Sequence, residues 1–115
     1  MTRNDIEVGL PQTIRDFFRA SDKHQTEDLL ACFGDNALVL DDGGRYEGLS
    51  SIRSWSDQNY IGARVHADLI AVEPRDKEWA VLAEITGDYP GGPYRFWFGF
   101  TLDQGQISKL EITEG

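Results

Sequence analysis

Cysteine is nearly absent from this chain. Cys32 is the only one in 115 residues, so no internal disulfide can form, and a reducing compartment is expected. It lies in Leu29-Leu30-Ala31-Cys32-Phe33, with Glu27, Asp28 and Asp35 nearby. Acids raise a thiol's pKa, so this setting points to buried packing rather than a reactive thiol. Histidine is scarce too: His24 and His66 stand far apart, and no Cys or His cluster has metal-ligand spacing. Neither a metal nor a cofactor is expected. No apolar run approaches the roughly 20 residues of a membrane span. Met1-Thr2-Arg3-Asn4-Asp5 runs into acidic residues without the apolar stretch of a signal peptide, and the expected compartment is the cytoplasm. Basic charge is also in short supply. Eleven Lys and Arg against 20 Asp and Glu give a net charge of −9. The basic residues are scattered singly, which argues against nucleic acid and anionic membranes as partners.

What is present is enough for one domain, which at this length buries roughly two-thirds of its unfolded surface. Residues 1–9 have no periodicity and read as a loose arm, leaving 10–115 as the domain. Leu10-Pro11 opens a helix, since proline is tolerated in a first turn. Leu10, Ile14, Phe17, Phe18 and Ser21 then trace one helical face. Thr26, followed by Glu27 and Asp28, reads as the N-cap of a second short helix that ends near Phe33, with Gly34 as its C-cap. Ala37 to Leu40 is strand-like. Asp42-Gly43-Gly44 turns the chain back through Arg45-Tyr46-Glu47, and a third helix starts near Ser50 with Ile52 and Trp55 on its buried side.

Three longer strands and a closing one follow, at 64–73, 79–88, 94–102 and 107–113, separated by turns rich in Pro, Gly and Asp. Helices first and an antiparallel meander afterwards is an α+β pattern. Alternation assigns the faces. One row holds Val65, Ala67, Leu69 and Ala71, then Val81, Ala83 and Ile85, then Tyr94, Phe96, Phe98 and Phe100, and it should face the helices. The opposite row is mixed. It contains Ile70, Leu82 and Trp97, an apolar patch that a homodimer interface through the outer sheet face explains best.

This pattern resembles the nuclear-transport-factor-2-like superfold and, within it, the SnoaL-like (polyketide cyclase-like) group. The resemblance covers residues 10–113. It rests on Asp22 with Leu29-Leu30-x-Cys32-Phe33-x-Asp35-Asn36-Ala37, then Asp41, then Gly48-x-x-x-Ile52-Arg53-x-Trp55, then Thr101-Leu102-Asp103-x-Gly105-x-Ile107. It implies a cone, in which a strongly curved, mainly antiparallel sheet wraps three N-terminal helices and leaves an internal apolar pocket open at one end. It implies no single activity, because proteins of this fold include cyclases, isomerases, dehydratases, hydrolases and non-catalytic modules. The steroid isomerases of the superfold keep a carboxylate base at the position matching Asp41, but their two oxyanion donors match Phe17 and Phe98 here. Losing one such donor can cost roughly 10²-fold in rate, so enolate chemistry of that type is not expected. The acid-arginine-acid floor of the epoxide hydrolases lacks a second inward acid.

Asp41 is the candidate catalytic residue, a general acid or base whose pKa apolar walls would raise. Equally, Asp41 or Asp42 starts the hairpin by accepting backbone amides. Phe17, Tyr46, Trp55, Tyr60, Ile85 and Phe98 are the candidate ligand-binding side chains, with plain core packing the simpler reading of Trp55. His24 is expected to be solvated, His66 to serve an interface, and Arg53 to pair with Tyr46 or Glu47 at the surface. Two functions remain open. One is a pocket protein for a small hydrophobic molecule, with or without cofactor-free acid/base catalysis. The other is a non-catalytic dimerisation or protein-interaction module whose pocket its own side chains fill. A void of roughly 300 Å³ or more with Asp41 on its wall favours the first.

Overall fold

A computed structural model describes residues 3–115. Four helices precede or interrupt a single six-stranded sheet: α1 (Arg3–Val8), α2 (Gln12–Asp22), α3 (Thr26–Leu30), β1 (Phe33–Asp41), β2 (Gly44–Glu47) and α4 (Leu49–Asn59), then a 3-10 turn at Ile61–Ala63, then β3 (His66–Arg75), β4 (Glu78–Thr86), β5 (Tyr94–Asp103) and β6 (Gln106–Glu114). The strand order is β2-β1-β6-β5-β4-β3. All neighbours are antiparallel except β1 and β6, which run parallel and join the N-terminal hairpin to the meander. The cone-like α+β architecture expected from the sequence is the one observed, with one helix more than expected. Part of the 1–9 arm, expected to be loose, is helix α1, which buries Ile6 and packs on β3.

The predicted face of α2 is the buried one: Leu10, Ile14, Phe17, Phe18 and Ser21 are all buried. Phe17 and Phe18 meet edge to face at 5.1 Å, and Phe98 and Phe100 of β5 close on them from the sheet at 5.2–6.3 Å. Such pairs add to the burial energy because ring edges and faces carry opposite partial charge. Helix α3 ends earlier than expected, at Leu30, and the residue before its first turn is Gln25 rather than Thr26. Gly34 is not a cap but lies in β1, because Phe33 already pairs with Ile107.

Two irregularities change the faces read by strict alternation. In β3 the register slips between Leu69 and Ala71, so Ala71 pairs with Leu82 on the outer face and Val72 takes the inward place opposite Val81. One inserted residue swaps the faces beyond it. Pro74 pairs with Trp79 inside β3 rather than in the turn, which is tolerated because β3 is an edge strand and needs no amide donor on its free side. Within the expected Asp42-Gly43-Gly44 turn, the two central residues of the β1–β2 hairpin are Asp42 and Gly43, both at positive φ (49° and 78°). Asp41, the last residue of β1, pairs with Gly44 and closes the hairpin.

Candidate functional site

The inward row of β1 is Ala37, Val39 and Asp41. Because β1 runs parallel to β6 and ends beside Ile112, its terminal acid arrives at the open end of the cone. The inward rows of β5 and β6 end there too, with Phe96 opposite Glu114 and Phe98 opposite Ile112. Helix α4 supplies the remaining wall through Gln58, Asn59 and the adjoining Tyr60. Together these enclose a cavity of about 1050 Å³, open at its mouth and walled by Asp41, Tyr46, Tyr60, Ile85, Tyr89 and Phe98 among others.

Asp41 is held from below. Its Oδ2 accepts a hydrogen bond of 2.9 Å from Nε1–H of Trp55, a side chain with no solvent exposure. Burial pushes the Asp41 carboxyl above its ordinary pKa, the Trp55 donor draws it down, and the neighbouring Asp42 charge raises it again. Trp55 stacks on Tyr60 (4.9 Å, 13°), and Tyr60 stacks on Phe17 (5.7 Å, 21°). A column of three rings thus runs from the acid into the core. Burial holds the Tyr60 phenol well above the usual range. Tyr89 is pushed up to about 12, by burial first and the Asp41 charge second, and donates its hydroxyl to the Asn59 carbonyl at 2.8 Å.

Of the expected ligand-binding residues, Tyr46, Tyr60, Ile85 and Phe98 line the cavity with Asp41. Phe17 and Trp55 do not. They are fully buried behind Tyr60, where they support the wall instead of forming it. Several wall residues had not been singled out. Tyr94 and Phe96 belong to the inward row of β5 and were legible by alternation. Tyr89 sits in a stretch that reads only as a turn, and its return over Asn59 is a tertiary fact.

The remaining candidates lie elsewhere. Arg53 pairs with Glu27 at 2.6 Å, tying α4 to α3 rather than to β2. His24 is exposed, as expected, and its Nε2 also lies 2.8 Å from the Val65 carbonyl oxygen. His66 stands between Asp22 (3.4 Å) and Asp68 (3.1 Å). Cys32 is buried, and its thiol is pushed up to about 11 by burial and then by Asp16 and Asp28. Among the described residues no group of His, Cys, Asp and Glu is arranged to hold a metal ion, and no helix is long and apolar enough to cross a membrane.

A curved six-stranded sheet around helices, with an open-ended cavity bearing an acid on its wall, is the nuclear-transport-factor-2-like fold. The chain matches that superfamily, and its structural neighbours include SnoaL-like, polyketide cyclase-like and ketosteroid isomerase proteins. A candidate polyketide cyclase from Sinorhizobium meliloti is 27% identical with a TM-score of 0.87, over 98% of this chain and 100% of that one. A Mycobacterium tuberculosis protein in complex with estradiol-17β-hemisuccinate is 17% identical with a TM-score of 0.77, over 90% and 91% of the two chains. The Δ5-3-ketosteroid isomerase of a Mycobacterium species is 20% identical with a TM-score of 0.76, over the same shares. No family profile matches the chain, and no curated protein matches its sequence.

Proposed function

We propose that this protein binds a small hydrophobic molecule in the cone and acts on it by cofactor-free acid/base chemistry, with Asp41 moving the proton. The observation that carries this reading is the cavity of about 1050 Å³ with the Trp55-bound Asp41 carboxyl on its wall. A space of that size at the open end of the cone supports the pocket reading over a module whose cavity its own side chains fill. Burial makes Asp41 a better proton acceptor than a solvated aspartate, and the Trp55 donor holds the carboxylate in one orientation. Proton transfer from such a group to or from a positioned substrate is the step that cyclisation, dehydration and isomerisations without a full enolate have in common. Two of the similar structures, a candidate cyclase and an isomerase, support the reaction class, and a third, solved with a steroid ester, supports a ligand of polycyclic size. Tyr46, Tyr60, Ile85 and Phe98 are the proposed contacts.

The working form is proposed to be a homodimer through the outer sheet face, where Ile70, Leu82 and Trp97 remain partly exposed. The lone cysteine and the acidic chain fit a cytoplasmic protein. The test of the whole reading is a screen of polycyclic ketones and phenols against the purified protein by thermal shift, followed by turnover assays with the compounds that bind. Stabilisation by a compound that Asp41→Asn still binds but no longer converts supports catalysis. Binding without turnover in either protein leaves a carrier, and no binding at all removes the pocket reading.

A further inference from the structure

The charge at the cavity mouth is one-sided. Asp41, Asp42, Asp88, Glu111 and Glu114 line it, against a single basic residue, Arg45. Three of these six charges have partners of opposite sign: Arg64 lies 3.7 Å from Asp88, Lys109 lies 3.9 Å from Glu111, and Glu47 takes Arg45 at 3.4 Å. Asp41, Asp42 and Glu114 form no ion pair with any described residue. Glu114 lies on the inward row opposite Phe96, and Asp41 ends the inward row of β1, so both acids stand where a ligand enters.

Aromatic walls are the second, independent feature. Tyr46, Tyr89, Tyr94 and Phe96 surround the same space, while both ring faces of Tyr60 are taken up by Trp55 and Phe17, and Phe98 is almost fully buried. Ring faces carry negative potential and attract organic cations. Unpaired carboxylates at close range do the same, and both effects gain strength where a ligand displaces water. The two features disfavour an anionic ligand equally, because a carboxylate or phosphate entering the mouth would meet like charge without a basic partner. The net charge of −9 adds long-range attraction for cations.

We infer that the cone is built for a protonated amine carried on an aromatic or polycyclic body, the ammonium lying among Asp41, Glu114 and the rim tyrosines while the rings fill the apolar interior. This inference rests on the cavity being the ligand site proposed above. It gives the raised Asp41 carboxyl a counter-charge that the empty protein does not supply. Binding of an ammonium therefore draws the Asp41 titration downward, and binding of a neutral ligand does not.

Three fluorescent probes of closely similar shape test it: 9-(aminomethyl)acridine, whose side-chain amine is an ammonium at neutral pH; acridine, held at a pH where it is neutral; and acridine-9-carboxylate, an anion. Titration of the wild-type protein should show the cation binding tighter than the neutral ring by about tenfold or more, with the anion weakest. Asp41→Asn and, separately, Glu114→Gln should each reduce that preference, read as the ratio of cation to acridine affinity within the same variant. Because Glu114 lies at the rim, its variant remains informative if Asp41→Asn alters the wall. Equal affinity for cation and neutral ring overturns the charge inference and leaves the pocket reading standing. Failure of all three rings to bind overturns both.

Discussion

Trp55 and Asp41, 14 residues apart on α4 and β1, meet through a 2.9 Å hydrogen bond from the indole Nε1–H to Oδ2. The bond joins a fully buried donor to a carboxylate that burial has already made costly to ionise. It holds the acid at the cavity wall, and it makes the two possible truncations of Asp41 behave differently.

With the folded pKa raised above the unfolded value of about 3.9, Asp41 detracts from stability as pH climbs from the unfolded to the folded pKa, and the deficit persists above it. Asp41→Asn removes the charge and keeps an oxygen acceptor for Trp55. It should therefore leave stability at neutral pH unchanged or improved, with any gain vanishing below the unfolded pKa. Asp41→Ala strands the buried indole donor and should cost about 1–3 kcal/mol. Urea denaturation of both variants across pH, with carboxyl-carbon NMR titration of Asp41, measures this. A depressed titration with an Asn variant as unstable as the Ala variant is the contrary result.

Phe18 and Phe98 meet at 5.3 Å with almost no exposure, so either change to Ala should destabilise by about 3–5 kcal/mol. Asp76 lies exposed in the β3–β4 turn, and Asp76→Ala should change stability by about 0.5 kcal/mol or less. Denaturant midpoints at constant slope provide the comparison.

Gly62 follows Tyr60 closely, and a Cβ placed there would lie 1.6 Å from the Asp57 carbonyl oxygen. The obstacle is backbone, so the end of α4 has to move. Gly62→Ala should cost about 1–3 kcal/mol or more and, by displacing Tyr60, weaken ligand binding in the cone. Unchanged binding in a destabilised variant would show that the Tyr60 wall tolerates the shift.

On the outer face, the Arg75 guanidinium lies 5.3 Å from the Trp97 ring centre and covers part of it. If this face joins two subunits, Trp97→Glu should convert a dimer to a monomer in sedimentation equilibrium, while Phe96 and the cavity are left intact. A wild-type protein already monomeric at micromolar concentration would remove the dimer from the proposal.

The sheet rows and the buried face of α2 were legible because period 2 and period 3.6 are local properties of the chain. Asp41 was legible as a candidate because it follows Val39 on the same parity, which holds wherever β1 lies. Its rival reading as a turn residue was equally local; in the structure Asp41 closes the hairpin opposite Gly44 and its carboxylate accepts from Trp55. The expected lining by Phe17 and Trp55 failed for a different reason. An apolar face says that a side chain is covered, and does not say whether a ligand or Tyr60 covers it.

By itself, then, the sequence determined the buried face of α2, the inward rows of β4 and β5, and that one acid ends an apolar strand, because neighbouring atoms and backbone geometry decide those matters. Only the tertiary structure decided that β1 runs parallel to β6, that a slip in β3 exchanges Ala71 for Val72, that Trp55 holds Asp41, and that Tyr89 and Glu114 share its cavity. These depend on packing between segments more than 70 residues apart, as Asp41 and Glu114 are at 73, and such separations leave no local pattern to read.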